Sequence, residues 1–519
     1  MQASPNQNFF ALVEERYSAD RGALFLETPE GSSYSWDDLD RASGRFANLL
    51  RTLNLPAASR IVIQVEKSPD ALFLYLATLR AGYVFVPLNT AYLSTEVEYF
   101  LGNAEPAVVI CRPTDFDWVS ALGQQFGIDR IFTLGSERDG TLFERVQKQP
   151  ESFQTFHRTA GDLAAIIYTS GTTGRCKGAM LTHGNLAANA RALHDFWGWT
   201  NRDVFLHALP IFHVHGLFIS LGPALLAGSR LIWLPKFDVQ RVLQELPRAT
   251  VFMGVPTYYT RLLADPRLDT EVCRNIRLFA SGSARLSTET FNEFRTRTGH
   301  TLLERYGMSE TNVLTSNPFH RDGGERIAGT VGVPLPGVSV RIVDDQGALR
   351  PVGEIGYVQV KGPNVFCGYW RLPELSRTEF TEDHWFKTGD LGRFGGSPGE
   401  DRIPEIYLTL VGRSKDLVIT GGYNVYPKEV EGFLNELPGI VESAVVGVPD
   451  HDFGEAVVAV VVPKPGAKLD EQEMIRTLKR QIAGFKVPKR IHIVSELPRN
   501  TMGKVLKEEL KAKFRGEAR

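Results

Sequence analysis

Cysteine is scarce: four residues in 519, at Cys111, Cys176, Cys273 and Cys367, with no C-x-x-C pair among them. With no nearby His spacing suited to zinc either, a reducing, cytoplasmic setting is favoured over a disulfide framework. Long hydrophobic runs are missing too. The longest apolar stretches, such as Leu217 to Leu226, are broken by Gly222 and Pro223 and fall short of the ~20 residues of a membrane span, so they read as core and no membrane partner is expected. The first residues, MQASPNQNFFALVEERYSADRG, have neither a basic segment nor an apolar one, and their acids argue against a mitochondrial presequence. Charge of one sign is not in excess: Lys+Arg 58 against Asp+Glu 60 leaves a net charge of -2, so no global field draws the chain to nucleic acid. Any charge selectivity is local.

What is present is an ordinary globular composition, 43% hydrophobic and 23% charged, on a chain about three times a typical ~150-residue domain. From Ser35 onward, helix-period and strand-period segments alternate: WDDLDRASGRFANLLRTL, RIVIQV, DALFLYLATLRAG, YVFVPL. This is α/β layering. AAIIYTS, SRLIWLP, ATVFMGVP, RLFASGS and TLLERYG read as buried strands with site-forming loops between them. From about Val331, short strands separated by turns (VSVRIVD, GYVQVKG, IYLTLVG) indicate a β-rich subdomain that closes the large unit. After Gly412 the register resets, Pro427 opens a helix, and strands and helices alternate to the end, the pattern of a small α+β domain. The expected division is a large domain over 1–412, a hinge over 413–416 and a small mobile domain over 417–519. The polar stretch 395–405 reads as a surface loop.

The run Tyr168-Thr-Ser-Gly-Thr-Thr-Gly-Arg-Cys-Lys-Gly178 follows the apolar strand AAII directly. Small residues let backbone N–H groups face an anion, the hydroxyls add donors, and Lys177 adds a positive charge, which together describe a phosphate cradle. The spacing is not that of G-x-x-x-x-G-K-[ST], and Gly178 stands where that motif has its magnesium-binding hydroxyl. A Gly/Ser/Thr turn by itself is usually an ordinary loop; the whole run in this order after a strand is not. Cys176, between Arg175 and Lys177, is expected to react with thiol reagents more readily than buried cysteines because cations lower a thiol pKa.

YTSGTTGRCKGAMLTHGNL resembles the phosphate-binding signature of the adenylate-forming acyl-CoA synthetase superfamily. LPIFHVHGL at 209–217, SGSARL at 281–286, ERYGMSET at 304–311, TGD at 388–390, GRSKDLVITGG at 412–422 and PRNTMGK at 498–504 follow in that family's order, so the resemblance covers nearly the whole chain. It implies a two-step ligase using ATP, Mg2+ and coenzyme A: a carboxylate attacks the α-phosphorus, and a thiol then attacks the acyl-AMP. It implies nucleotide or phosphate binding by Thr169, Ser170, Gly171, Thr172, Thr173, Gly174 and Lys177. The same role extends to Gly282, Ser283 and Ala284, to Glu304, Tyr306, Gly307 and Ser309, and to Asp390 and Arg413. Tyr306 would stack on the base and Asp390 would hold the ribose. Glu310 matches the magnesium-binding glutamate, where a hard cation bridging phosphates needs an oxygen ligand. Lys504 matches the catalytic lysine, whose charge meets the negative charge of the transition state. A lysine-modifying enzyme acting on Lys504 is an expected partner. Lys415 matches the hinge, and Gly421 and Gly422 fall where the pantetheine arm would pass.

For the acyl site the resemblance implies His213, with His215 balanced between function and structure, and Met308. Arg305 and Arg285 border that site and point to an anionic substrate tail, because a buried carboxylate needs a partner and a guanidinium binds it bidentately. Alternation along TLLERYG sends Arg305 to the face opposite Glu304 and Tyr306. Arg285 stands where the family more often has proline, and is either a surface substitution or a second anion contact. HVHGL, ERYGMSETN, KGPNVFCGYW and ITGGYNVYPKEVE resemble malonyl-CoA synthetases more closely than acetyl- or long-chain enzymes. Malonate is therefore the expected acid, with methylmalonate as the variant. Another short-chain acyl-CoA ligase, an acyl-AMP ligase loading a carrier protein and a non-catalytic nucleotide-binding regulator are the competing readings.

Overall fold

The computed structural model describes residues 5–17, 20–169, 176–320, 324–396, 402–420, 423–450, 453–501 and 503–515. The chain forms two compact units, Met1–Ser339 with Lys361–Phe386, and Val340–Val360 with Lys387–Arg519.

The first unit holds two largely parallel sheets. In the six-stranded one, Ile131–Thr133, Val108–Cys111, Arg60–Gln64, Val84–Pro87 and Leu163–Thr169 run parallel, and Lys177–Thr182 closes the edge antiparallel. The nine-stranded sheet has a parallel centre formed by Leu303–Met308, Leu278–Ser281, Val251–Gly254, Val204–His207, Arg230–Trp233 and Leu24–Glu27, with antiparallel strands at both ends. These are the α/β layers expected, and their strands read as continuous apolar runs because both faces are covered.

The helix Pro69–Arg80 shows why. Ser68 caps it by accepting from the Ala71 N–H, and Pro69 occupies the first turn, where its missing donor costs nothing. Every residue from Asp70 to Arg80 is buried. Tyr75 meets Phe85 of the six-stranded sheet at 4.9 Å and Phe218 at 6.0 Å, while Phe73 meets Tyr34 of the other sheet at 5.4 Å. The helix is thus buried all round because it is packed on both sides. Leu217 to Leu226 is core, as expected, but not as a plain α-helix: His215–Ser220 is a π-helical turn that runs into the α-helix Leu221–Ala227.

In the second unit, Ser339–Val343, Gly356–Lys361, Phe386–Phe394 and Leu408–Arg413 form a four-stranded sheet. The strand Phe386–Phe394, which carries TGD, is one that sequence patterning leaves unassigned. A five-stranded sheet follows, built around the long hairpin Ile440–Asp450 and Gly454–Pro463, with the helices Pro427–Asn435 and Glu471–Gln481 packed on one apolar cluster. The segment 397–401 of the expected surface loop lies outside the described residues. Among the described residues, no helix is long and apolar enough to cross a membrane.

Candidate active site

In the first unit, two clusters gather the side chains singled out in the sequence. The first surrounds the expected phosphate cradle. Thr169 pairs with Lys177 across the antiparallel strands, so the two residues stand at the ends of the loop, while Ser170, Gly171, Thr172, Thr173 and Gly174 lie outside the described residues. Lys177 is buried; its ammonium lies 5.1 Å over the Tyr369 ring and 3.7 Å from Glu379. Tyr369 in turn donates its hydroxyl to Glu310 Oε1 at 2.9 Å, and the Phe366 N–H donates to the Glu310 carbonyl at 2.7 Å. Tyr369 and Glu379 were not singled out from the sequence. Tyr369 lies in the quoted run KGPNVFCGYW, but nothing local in ELSRTEF marks Glu379.

Glu310 offers one oriented carboxylate, 6% exposed, beside a buried cation. This donor set fits a magnesium ion carried on phosphate oxygens, since such an ion keeps most of its shell from substrate and water.

The second cluster is built around Arg305. Glu304 and Arg305 leave the strand on opposite faces: Glu304 Oε1 accepts from the Leu286 N–H at 3.1 Å, whereas the Arg305 guanidinium lies against Gly282. A Cβ at position 282 would stand 2.4 Å from Arg305 Cζ, so only glycine leaves room for it. Arg305 is 4% exposed, and among the described residues its Nη2 has no hydrogen-bond partner. Burial pulls its pKa down to about 9 against a smaller opposing pull from Tyr259.

Two histidines flank this cation. The His215 N–H donates to His213 Nδ1 at 3.1 Å, which leaves Nε2 as the protonated nitrogen of a neutral His213. Burial and the Arg305 charge hold His213 down at about 4. His215 Nδ1 lies 3.1 Å from Ser283 Oγ, and Ser283 adopts φ 71, a left-handed conformation that is costly outside glycine. Gly282, Ser283, Arg305, His213 and His215 are therefore brought together. Ala284, Gly307, Met308 and Ser309 are partly accessible along the adjoining loop and hairpin, and Tyr306 is buried. Arg285 is exposed, on the accessible end of SGSARL.

Within the second unit, Asp390 and Arg413 face each other across antiparallel strands, with Arg413 Nε 2.8 Å from Asp390 Oδ1. Ser414–Asp416 forms a short 3-10 turn immediately after, and Lys415 sits in it. Lys504 is exposed by surface area, yet its ammonium is crowded. That desolvation, followed by the Arg413 charge and with Lys415 assisting, lowers its pKa to about 8 against the opposing pull of Asp390 and Asp416. Gly421 and Gly422 lie outside the described residues.

The cause expected for a reactive Cys176, a thiol pKa lowered by its flanking cations, does not hold, although Cys176 is less buried than Cys111 and Cys273. Burial, then Glu96, raises its thiol pKa, and the side chain packs against the apolar cluster of Val97, Phe100 and Ile166. Desolvation outweighs the flanking cations that the sequence suggests. All four cysteines are free.

Residues 11–370 match the family model of the AMP-binding enzymes, and residues 429–504 match that of the AMP-binding enzyme C-terminal domain. The chain belongs to the AMP-binding enzyme family. Among its relatives, a malonate–CoA ligase of Arabidopsis thaliana is 36% identical, over 96% of this chain and 87% of that protein. A mitochondrial malonate–CoA ligase of Mus musculus is 37% identical, over 84% of this chain and 78% of that protein. The crystal structure of ATP-bound MatB from Rhodopseudomonas palustris superposes with a TM-score of 0.94 at 49% identity, covering 99% of this chain and 100% of that one.

Proposed function

We infer that the chain is an AMP-forming acyl-CoA synthetase that ligates malonate to coenzyme A through malonyl-AMP, giving malonyl-CoA, AMP and pyrophosphate. The observation that carries the choice of acid is Arg305, a buried cation whose Nη2 has no hydrogen-bond partner among the described residues, beside two neutral histidines. A fatty-acid tunnel has no use for such a group; a distal carboxylate does. The malonate–CoA ligases among its relatives support the same reading.

In this reading His213 Nε2–H and Arg305 hold the two ends of malonate, and Gly282 to Ala284 with Met308 and Tyr306 line the acyl and adenine ends of the site. Arg285, being exposed, takes the weaker role of a steering charge. A carboxylate oxygen of malonate attacks the α-phosphorus while the bond to the β-phosphate oxygen breaks and pyrophosphate leaves. Lys177, Thr169 and the loop 170–174 bind phosphates, with Gly307, Ser309 and Glu304 shaping the hairpin behind them. Lys504 sets its positive charge against the α-phosphate and the incoming carboxylate. Asp390 accepts from the ribose hydroxyls and Arg413 orients it. A bound magnesium ion on Glu310 would neutralise phosphate charge. In the second step the coenzyme A thiol attacks the acyl carbonyl and AMP leaves, with Gly421 and Gly422 beside the pantetheine arm and Lys415 at the hinge of the 417–519 domain.

A cytoplasmic setting is proposed, in keeping with four free cysteines. A lysine-modifying enzyme is proposed as a partner, since acylation of Lys504 removes its charge. The test is AMP release in the presence of coenzyme A with malonate, methylmalonate, acetate and succinate. Malonate should lead by a wide margin. Acetate turnover equal to malonate turnover would refute the choice of acid, and pyrophosphate exchange without thioester release would favour loading of a carrier protein.

A further inference from the structure

Behind the acyl cluster lies a buried lysine that the reaction does not use. Lys67 follows the strand Arg60–Gln64 of the six-stranded sheet and is 8% exposed. It reaches the nine-stranded sheet, with Nζ 2.7 Å from His207 Nδ1, 2.9 Å from the His207 carbonyl and 4.2 Å from the centroid of the Trp233 ring. Among the described residues it forms no ion pair. The other ring nitrogen, His207 Nε2, lies 2.8 Å from the Gly216 carbonyl. A carbonyl only accepts, so Nε2 carries the proton, Nδ1 of the neutral ring is the acceptor, and Lys67 is the donor that fixes this tautomer.

Gly216 belongs to the π-helical turn His215–Ser220. Such a turn takes carbonyls out of the ordinary helical ladder and needs other donors for them. Ser220 Oγ serves the His215 carbonyl at 2.6 Å and His207 serves that of Gly216. The chain is tightly packed at Gly216 itself, where a Cβ would stand 2.1 Å from the Pro210 carbonyl oxygen. Its first residue is the one whose N–H holds His213 and whose ring meets Ser283.

We propose that Lys67 and His207 are positioning residues for the acyl site: Lys67 orients the His207 ring, and His207 Nε2–H pins the Gly216 carbonyl of the turn that sets His213 and His215 beside Arg305. The inference rests on reading that cluster as the malonate site.

The test is steady-state kinetics and melting temperature of the full chain carrying Lys67→Met, His207→Asn or His207→Gln. Methionine keeps an unbranched stem without donors, asparagine is too short to reach Gly216, and glutamine places an amide N–H near the position of Nε2. Lys67→Met and His207→Asn should each raise the malonate KM roughly tenfold, the effect of losing one buried hydrogen bond, with the KM for ATP and for coenzyme A little changed. His207→Gln should recover most of that loss. An unchanged malonate KM, a glutamine variant no better than asparagine, or unfolding of all three variants would each overturn the proposal, the last by assigning the node to stability alone. If the unsubstituted chain forms no malonate-dependent AMP, the malonate reading itself has failed instead.

Discussion

Replacing Arg305 by methionine tests the choice of substrate most directly, and the structure sets the size of the effect. Arg305 is 4% exposed and among the described residues its Nη2 lacks a partner, so most of its desolvation precedes the arrival of substrate. With Arg305 gone, the distal carboxylate of malonate is left unpaired, at a cost of about 3–5 kcal/mol, or roughly two to three and a half orders of magnitude in kcat/KM. Propionate and acetate carry no distal charge and should lose far less. The protein itself should not suffer. A folded-state pKa lowered to about 9 means that the buried charge opposes folding below that pH, a penalty relieved only as pH rises from there toward the ordinary arginine range. Arg305→Met should therefore melt at or above the temperature of the unsubstituted chain. Arg305→Lys should restore only part of the activity, because a point charge lacks the planar fork.

Two assays read this out: pyrophosphate exchange across the three acids, and the NMR titration of His213, whose pKa should rise from about 4 once the Arg305 charge beside it is removed. Equal loss with every acid, together with an unmoved His213, would refute the anion-site reasoning and make Arg305 a structural residue.

Lys504→Ala should abolish acyl-AMP formation yet still convert preformed malonyl-AMP and coenzyme A to thioester; equal loss of both half-reactions in a folded variant counts against the assignment. Because Lys504 in the free chain has a pKa of about 8, kcat/KM for the adenylation step should fall as pH rises through that value, and that inflection should vanish in Lys504→Arg. Gly282→Ala should push the Arg305 guanidinium aside and lower malonate kcat/KM while sparing acetate, as selectivity measurements would show. Tyr369→Phe removes the hydroxyl that holds Glu310 and should raise the MgATP KM by roughly three- to tenfold, measured at saturating malonate. In thiol labelling at pH 8, Cys367 and Cys176, whose thiols are both raised by desolvation, should react slowly in the folded chain, and the buried Cys111 and Cys273 only on unfolding.

The sequence by itself determined what local rules can determine. Pro427 starts a helix, because its missing N–H falls where a helix end leaves donors unpaired anyway, a rule that needs only the next few residues. Alternation along TLLERYG separates Arg305 from Glu304, because strand period needs no knowledge of the partner strand. The ordered motifs carry the chemistry, because reacting groups are spelled out residue by residue. Only the tertiary structure decided what meets across long separations. Tyr369 joins Lys177 to Glu310, and Glu379 faces Lys177 from a helix with no motif of its own. Lys67 finds His207 across two sheets, 140 residues away, and Gly216 behind it. Cys176 shows the same limit from the other side: its neighbours in sequence are cations, but burial, which sequence neighbours do not set, governs its thiol. Propensity and capping act over a few residues, whereas desolvation and ion pairing depend on which surfaces the fold presses together.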